Sequence, residues 1–310
     1  MSCKIYYAII KNRDDIKAEN IFDVPIFCGN NINLFNPILK KTISIQGESE
    51  SENEYDSWIA TFFKDSQYAQ TLELEVVDKE NYKQIPQDLK KDIARIVVIT
   101  NTDESDEGMK TFGDDIEKYC EEASQFIRGS NSLKVGNLTQ LSNGWRHIDG
   151  RGLLIVNKYR CIKQSKRATL LLMLAIGYYQ AFQNINEQLA EVLSLPHNVD
   201  RVDELFSIAS EFDARYYFFN PIQVSNFHTY KCWENIRDAY DLQLKYLETN
   251  EQIQQVHLIL NHRTQKKEEA ERHIQQEKDD KWTKKITTFA VILSVLGLIE
   301  VAHTLKEWFF

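Results

Sequence analysis

With 310 residues, 43% of them apolar, the chain can bury a sizeable core and lacks the composition of a disordered protein. Its formal net charge of −9 argues against nucleic acid as the main partner, because phosphate backbones need a basic face. That charge is uneven: acid gathers at Glu48–Asp56 and Asp103–Asp115, base between Arg263 and Lys285.

In chain order, Lys4–Ile10 is a short β-rich run that predicts a strand, as do Asp23–Phe27 and Lys41–Ile45, with Pro25, Gly29 and Pro37 as breaks. Gln46–Asp56 is an acidic loop, after which the spacing over Tyr55–Phe63 predicts a short helix. Thr71–Asp78 alternates Leu72, Leu74 and Val76 with Glu73 and Glu75, the period of a half-exposed strand. Pro86–Lys91 predicts a short helix, Ala94–Thr100 a buried strand and Asn101–Gly108 an acidic turn. Ile116, Tyr119, Cys120, Ala123 and Ile127 stand at helical spacing within Asp114–Arg128, a helix ended by Gly129. Trp145–Ile148 and Arg151–Val156 flank Asp149-Gly150, a strong hairpin signal.

Beyond Ser165 the chain becomes helical. Ala168–Phe182 is apolar on every face but short for a bilayer crossing, and Gln180, Gln183 and Asn184 come with or just after its end, so a buried helix is expected. Val199–Ala214 predicts another helix, with Asp200 in its first turn, and Asn220-Pro221 a break. From Thr229 no breaker stands before Gly297. Leu242, Tyr246, Thr249, Ile253, Val256 and Leu260 follow the alternating spacing of a coiled-coil seam, which packs either within its own subunit or against copies of the chain.

Ile286–Leu305 is mostly apolar and about 30 Å long as a helix, the thickness of a bilayer core. Trp282 and Trp308 bracket it, and Lys281, Lys284 and Lys285 crowd its upstream edge, which places that side in the cytoplasm. A buried core helix is the competing reading. Residues 1–15 show no signal-peptide pattern. Glu300 and His303 share a face of the span, where ionisable groups either face other helices or reach the far interface. Ser294 and Gly297, also three apart, permit close helix approach.

No P-loop, dinucleotide-binding glycine pattern, zinc-protease motif or nucleophile elbow occurs. Cys3, Cys28, Cys120, Cys161 and Cys232 are scattered without a CxxC pair, which fits thiols in a reducing compartment. Asp103, Glu104, Asp106 and Glu107 follow the buried strand and are the weak metal candidates, for Mg²⁺ or another divalent cation, against a solvated acidic loop. His147, Asp149 and Arg151 surround the hairpin turn and read either as anion-polarising groups or as turn residues. His257, His262 and His273 lack the spacing of a metal site.

The stretch YDLQLKYLETNEQIQQVHLILNHR from Tyr240 to Arg263, then a charged helix and a span containing IEV, resembles the CorA-type divalent-cation transporters and the related required-for-meiotic-nuclear-division family. The resemblance implies an α/β domain, a helical section, a long stalk helix entering the membrane, and oligomers. Those transporters have two spans and a Gly-Met-Asn signature, whereas this chain has one span and no such tripeptide, so no functional residue carries over.

The expectation is therefore an α+β protein: an α/β domain over 1–160, a helical subdomain over 165–220, a stalk over 229–285 and a span over 286–305. It is expected to be single-pass and self-associating, with its N-terminal bulk in the cytoplasm. An oligomeric effector or ion-conducting assembly, a tethered binding module and a metal-dependent enzyme are the three functions open to it.

Overall fold

A computed structural model describes residues 3–13, 35–47, 55–77, 92–103, 105–159, 161–194, 199–222 and 227–309. The strand expected at Asp23–Phe27 and the helix expected at Pro86–Lys91 lie outside them. The protein is α+β, and chain contacts divide it into two units, Met1–Ile253 and Gln254–Phe310. The sheet, expected as a domain ending near residue 160, thus shares one unit with the helices that follow it.

Lys41, expected at the start of a strand, instead ends a short helix, α1 (Pro37–Lys41), and the strand begins at Ser44. The described strands form a single sheet. They are β1 (Cys3–Asn12), β2 (Ser44–Gly47), β3 (Trp58–Phe62), β4 (Gln70–Val77), β5 (Asp92–Asn101), β6 (Thr139–Leu141), β7 (Gly144–Asp149) and β8 (Gly152–Asn157). Their order is β2-β3-β4-β1-β5-β8-β7-β6, antiparallel throughout except between β5 and β8. That parallel pair needs a crossover, which α2 (Asp106–Asp114) and α3 (Ile116–Arg128) supply. Ser105 caps α2 by accepting the Gly108 N–H at 3.1 Å, so the expected acidic turn ends as a helix start. Gly129 closes α3 at φ 65°, a left-handed conformation that glycine adopts without a Cβ clash.

Tyr55–Phe63, predicted as a helix, instead contains the strand β3 (Trp58–Phe62). Trp58, Ala60 and Phe62 are buried while Ile59 and Thr61 are half-exposed, and that period of two outweighs the helical spacing. A two-face pattern also governs the central strands. Tyr7, Ile9, Val97, Ile99, Leu154 and Val156 pack against α2 and α3. Alternation places Ala8, Ile10, Ile96, Val98, Leu153 and Ile155, all buried, on the other face, which α4 (Ile162–Ser194) crosses. Gly152 permits the β5–β8 approach, since a Cβ there would lie 1.9 Å from the Arg95 carbonyl oxygen.

α4 is buried on every side over its apolar stretch because the sheet covers one flank and α5 (Val199–Arg215) and α6 (Phe227–Ala239) cover others. Phe63, at φ 57°, turns its ring in to stack on Tyr178 at 5.1 Å. The uninterrupted helix expected from Thr229 is broken at Asp241, whose φ of 47° separates α6 from α7 (Leu242–Phe309).

Candidate functional site

The seam on α7 begins inside the first unit. Leu242, Thr249 and Ile253 are buried there, and Tyr246 stacks on Tyr217 at 4.4 Å while donating to Asp213 Oδ2 at 3.1 Å. From Leu242 to Ile253 the seam is therefore filled by its own chain, not open to a copy. Val256 is also buried, and the side chain of Leu260 lies outside the described residues. Burial raises the Asp213 carboxyl above the usual carboxylate range, with the Tyr246 hydroxyl opposing it.

Further along α7, the pattern inverts. The helix holds an 18-residue window apolar enough to cross a membrane, and none of that window is buried. Phe289 and Leu298 are 70% and 69% exposed. Trp282 stands exposed upstream, beside a segment with Glu268–Arg272 and Glu277–Lys281 ion pairs along its surface. Ser294 returns its hydroxyl to the Ala290 carbonyl at 2.8 Å, and a Cβ at Gly297 would meet nothing within 4 Å. Glu300 and His303 lie in the helix, with side chains outside the described residues.

The hairpin turn holds a charge cluster reached by α3. Arg128 donates Nε and Nη2 to Asp149 Oδ2 at 2.8 and 2.5 Å, and its Nη2 is 2.9 Å from His147 Nε2. Asp149 Oδ1 accepts the Arg151 and Gly152 N–H groups at 2.8 and 3.0 Å. Burial pushes the Asp149 carboxyl up, but hydrogen bonds from His147, the Arg151 backbone and Arg128, with the Arg128 charge, outweigh it and hold it well below the usual range. Both carboxylate oxygens are thus used within the fold. The cluster ties β7 to α3, and the Arg151 guanidinium lies apart on the Arg128 carbonyl at 3.4 Å.

The acidic loop after β5 is tied up in a similar way. Asp103 Oδ1 accepts the Ser105 N–H at 3.1 Å, and the Asn101 side chain clamps the Asp103 backbone at 2.7 and 3.0 Å. A cavity of about 510 Å³ lies beside it, lined also by Cys3 and Tyr119. Among the described residues no three His, Cys, Asp or Glu side chains are placed to hold a metal. The side chain of Asp106 and the whole of Glu104 lie outside them. Cys3, Cys120, Cys161 and Cys232 are thiols, and burial pushes Cys120 up to about 11, aided by Glu117 and Glu121.

A second cavity, of about 310 Å³, was not anticipated. It lies where β7, the start of α4 and the start of α6 meet, and is lined by Arg146, Gln164, Arg167, His228 and Thr229 over a floor of Ala168, Leu171 and Cys232, with Phe227 at its edge. The Nε atoms of Arg146 and Arg167 are buried without a hydrogen-bond partner among the described residues. Among the described residues, neither arginine has an ion-pair partner and no carboxylate lines the cavity. The two side chains are 21 positions apart on different elements, so no local spacing marks them.

Comparison with protein-family models, with curated proteins and with solved structures gives no match to this chain. Function is therefore argued from geometry alone.

Proposed function

We propose that this chain is a single-pass membrane protein in which Met1–Ile253 is a binding or sensing unit and the apolar part of α7 is its anchor. What carries the reading is the complete exposure of that apolar window, in a chain that elsewhere buries its apolar helices. Exposed apolar area of this length is costly in water and free of cost in hydrocarbon, and a helix satisfies its own backbone there. The lysines at 281, 284 and 285 favour a cytoplasmic position for the upstream side. Expression with and without residues 286–310 tests it: the full chain is expected to stay in the membrane pellet through alkaline carbonate, the shortened one to appear in the soluble fraction. A full chain released by carbonate, or one soluble without detergent, sinks the reading.

A second reading, self-association through the span, is favoured by the open surface at Ser294 and Gly297, which lets another helix approach closely. In that reading Glu300 and His303 face neighbouring copies, and a polar path for ions is one consequence. Because the seam from Leu242 to Ile253 is already filled, contact between copies falls to the helix beyond it. Catalysis with a metal at Asp103 is the least supported function, as its carboxylate is engaged in the turn.

A further inference from the structure

We infer that the cavity between Arg146 and Arg167 binds a phosphomonoester, with the dianionic phosphate on the two guanidinium groups and the remainder against Phe227. Elsewhere the fold supplies its buried or half-buried arginines with acceptors: Arg95 donates to the Phe126 carbonyl at 3.0 Å, Arg128 to Asp149, Arg237 to Asp238. Arg146 and Arg167 are different, since each buries an Nε with no acceptor among the described residues. A buried charged donor left unmade is costly, and two cations facing one cavity repel. Among the described residues, no carboxylate lines this cleft. The missing partner is an anion from outside.

Its charge and shape follow from the donors. One guanidinium fork satisfies both oxygens of a carboxylate, so a second fork calls for more oxygens and a second charge. The first turn of α6 adds N–H groups without intrahelical partners at Phe227, His228 and Thr229, at the positive end of the helix dipole. A tetrahedral dianion with three terminal oxygens uses all three donor sets, and the Thr229 hydroxyl and Gln164 amide stand within the same lining. The floor is apolar: Ala168, Leu171 and Cys232 are 2%, 0% and 3% exposed. Phe227, 66% exposed, offers a ring face at the edge. A volume of about 310 Å³ suits a small phosphorylated molecule, not a polymer.

The test is thermal unfolding of the full chain in detergent, which does not depend on whether the span crosses a bilayer. Probes are adenosine monophosphate, adenosine, inorganic phosphate, acetate and a short-chain phosphatidate. Adenosine monophosphate at ten times its dissociation constant is expected to raise Tm by about 3–6 °C, with adenosine and acetate inert. A shift with phosphatidate alone keeps the phosphomonoester and assigns it to a lipid headgroup; a shift with the soluble phosphates assigns it to a free ligand. R146Q and R167Q are each expected to weaken binding at least tenfold while leaving the unliganded Tm unchanged or higher, because each relieves the repulsion. No shift with any phosphorylated probe, equal shifts with acetate, or a shift surviving in the double variant overturns the proposal.

Discussion

Two apolar helical stretches in this chain meet opposite surroundings. Within α4, every residue from Leu170 to Ile176 is at most 1% exposed, whereas in α7 Phe289, Leu293 and Leu298 are each more than 60% exposed. Composition alone does not separate them. What does is what the rest of the chain offers: α4 lies on a sheet face that is mostly apolar, with Thr100 and Asn157 as its buried polar residues, and α5 and α6 close its other flanks. No described residue covers the stretch in α7, which carries aromatic and lysine flanks instead of glutamines. The difference teaches that an apolar helix declares its need for cover, while its flanks and the area left over elsewhere declare who supplies it.

The largest break in that comparison comes from truncating one leucine in each stretch. Leu174 is fully buried, so Leu174→Ala is expected to cost about 2–5 kcal/mol from lost burial plus the cavity left behind. Leu296→Ala, at a site 56% exposed, is expected to leave unfolding of the globular unit unchanged. Denaturant titration of the two variants in detergent decides it. Equal losses would mean that residues around Leu296 are covered by the protein, and the comparison would fail.

A second experiment asks how much of the globular unit's stability is ionic. Asp149→Asn removes the charge that holds Arg128 and is expected to cost about 1–3 kcal/mol near neutral pH. The sign with pH follows from the lowered carboxyl. Its folded form stays ionised where an unfolded aspartate, near 3.9, takes up a proton, so the contribution is full above about pH 4 and is lost as pH falls further. The gap in Tm between wild type and variant is therefore expected to shrink steadily from pH 4 downward. A gap constant down to pH 2.5 would show that Asp149 acts through packing alone.

The α+β class, most strands of the sheet, the α3 helix with its glycine stop, the hairpin and the buried α4 were legible because each rests on local periodicity and turn chemistry. β3 was not, because five residues with an apolar start satisfy helical and strand spacing alike until β4 pairs with them. The break at Asp241 escaped notice because an aspartate in a left-handed conformation leaves no compositional mark. The seam was visible, but the residues that fill it, Tyr217 and Asp213 on or just after α5, are set by tertiary packing. The Arg146–Arg167 cavity was hidden for the same reason: its members come from a strand and two helices, and only folding brings them together. By contrast His147 and Asp149 stand two apart beside the Asp149-Gly150 turn, so their nearness is local, while Arg128, which joins them, comes from α3.

The finest test compares two glycines. Gly177 in α4 looks onto Phe62 and Phe63, and a Cβ there would sit 3.5 Å from the nearest ring atom, an ordinary contact. Gly177→Ala should then fill space without a clash and gain helix propensity, for a stabilisation of about 0.5–1 kcal/mol. Gly297→Ala meets no neighbour, so the same added methyl should leave unfolding of the globular unit alone. If copies pack through Ser294 and Gly297, however, the methyl holds their backbones apart, and cross-linking in detergent should yield fewer dimers and larger species than wild type. Unchanged cross-linking with Gly297→Ala would count against packing of copies at that face, and destabilisation by Gly177→Ala would show that the space beside the rings at 62 and 63 does not admit a methyl. The two glycines thus separate a helix covered by its own chain from one whose cover comes from elsewhere.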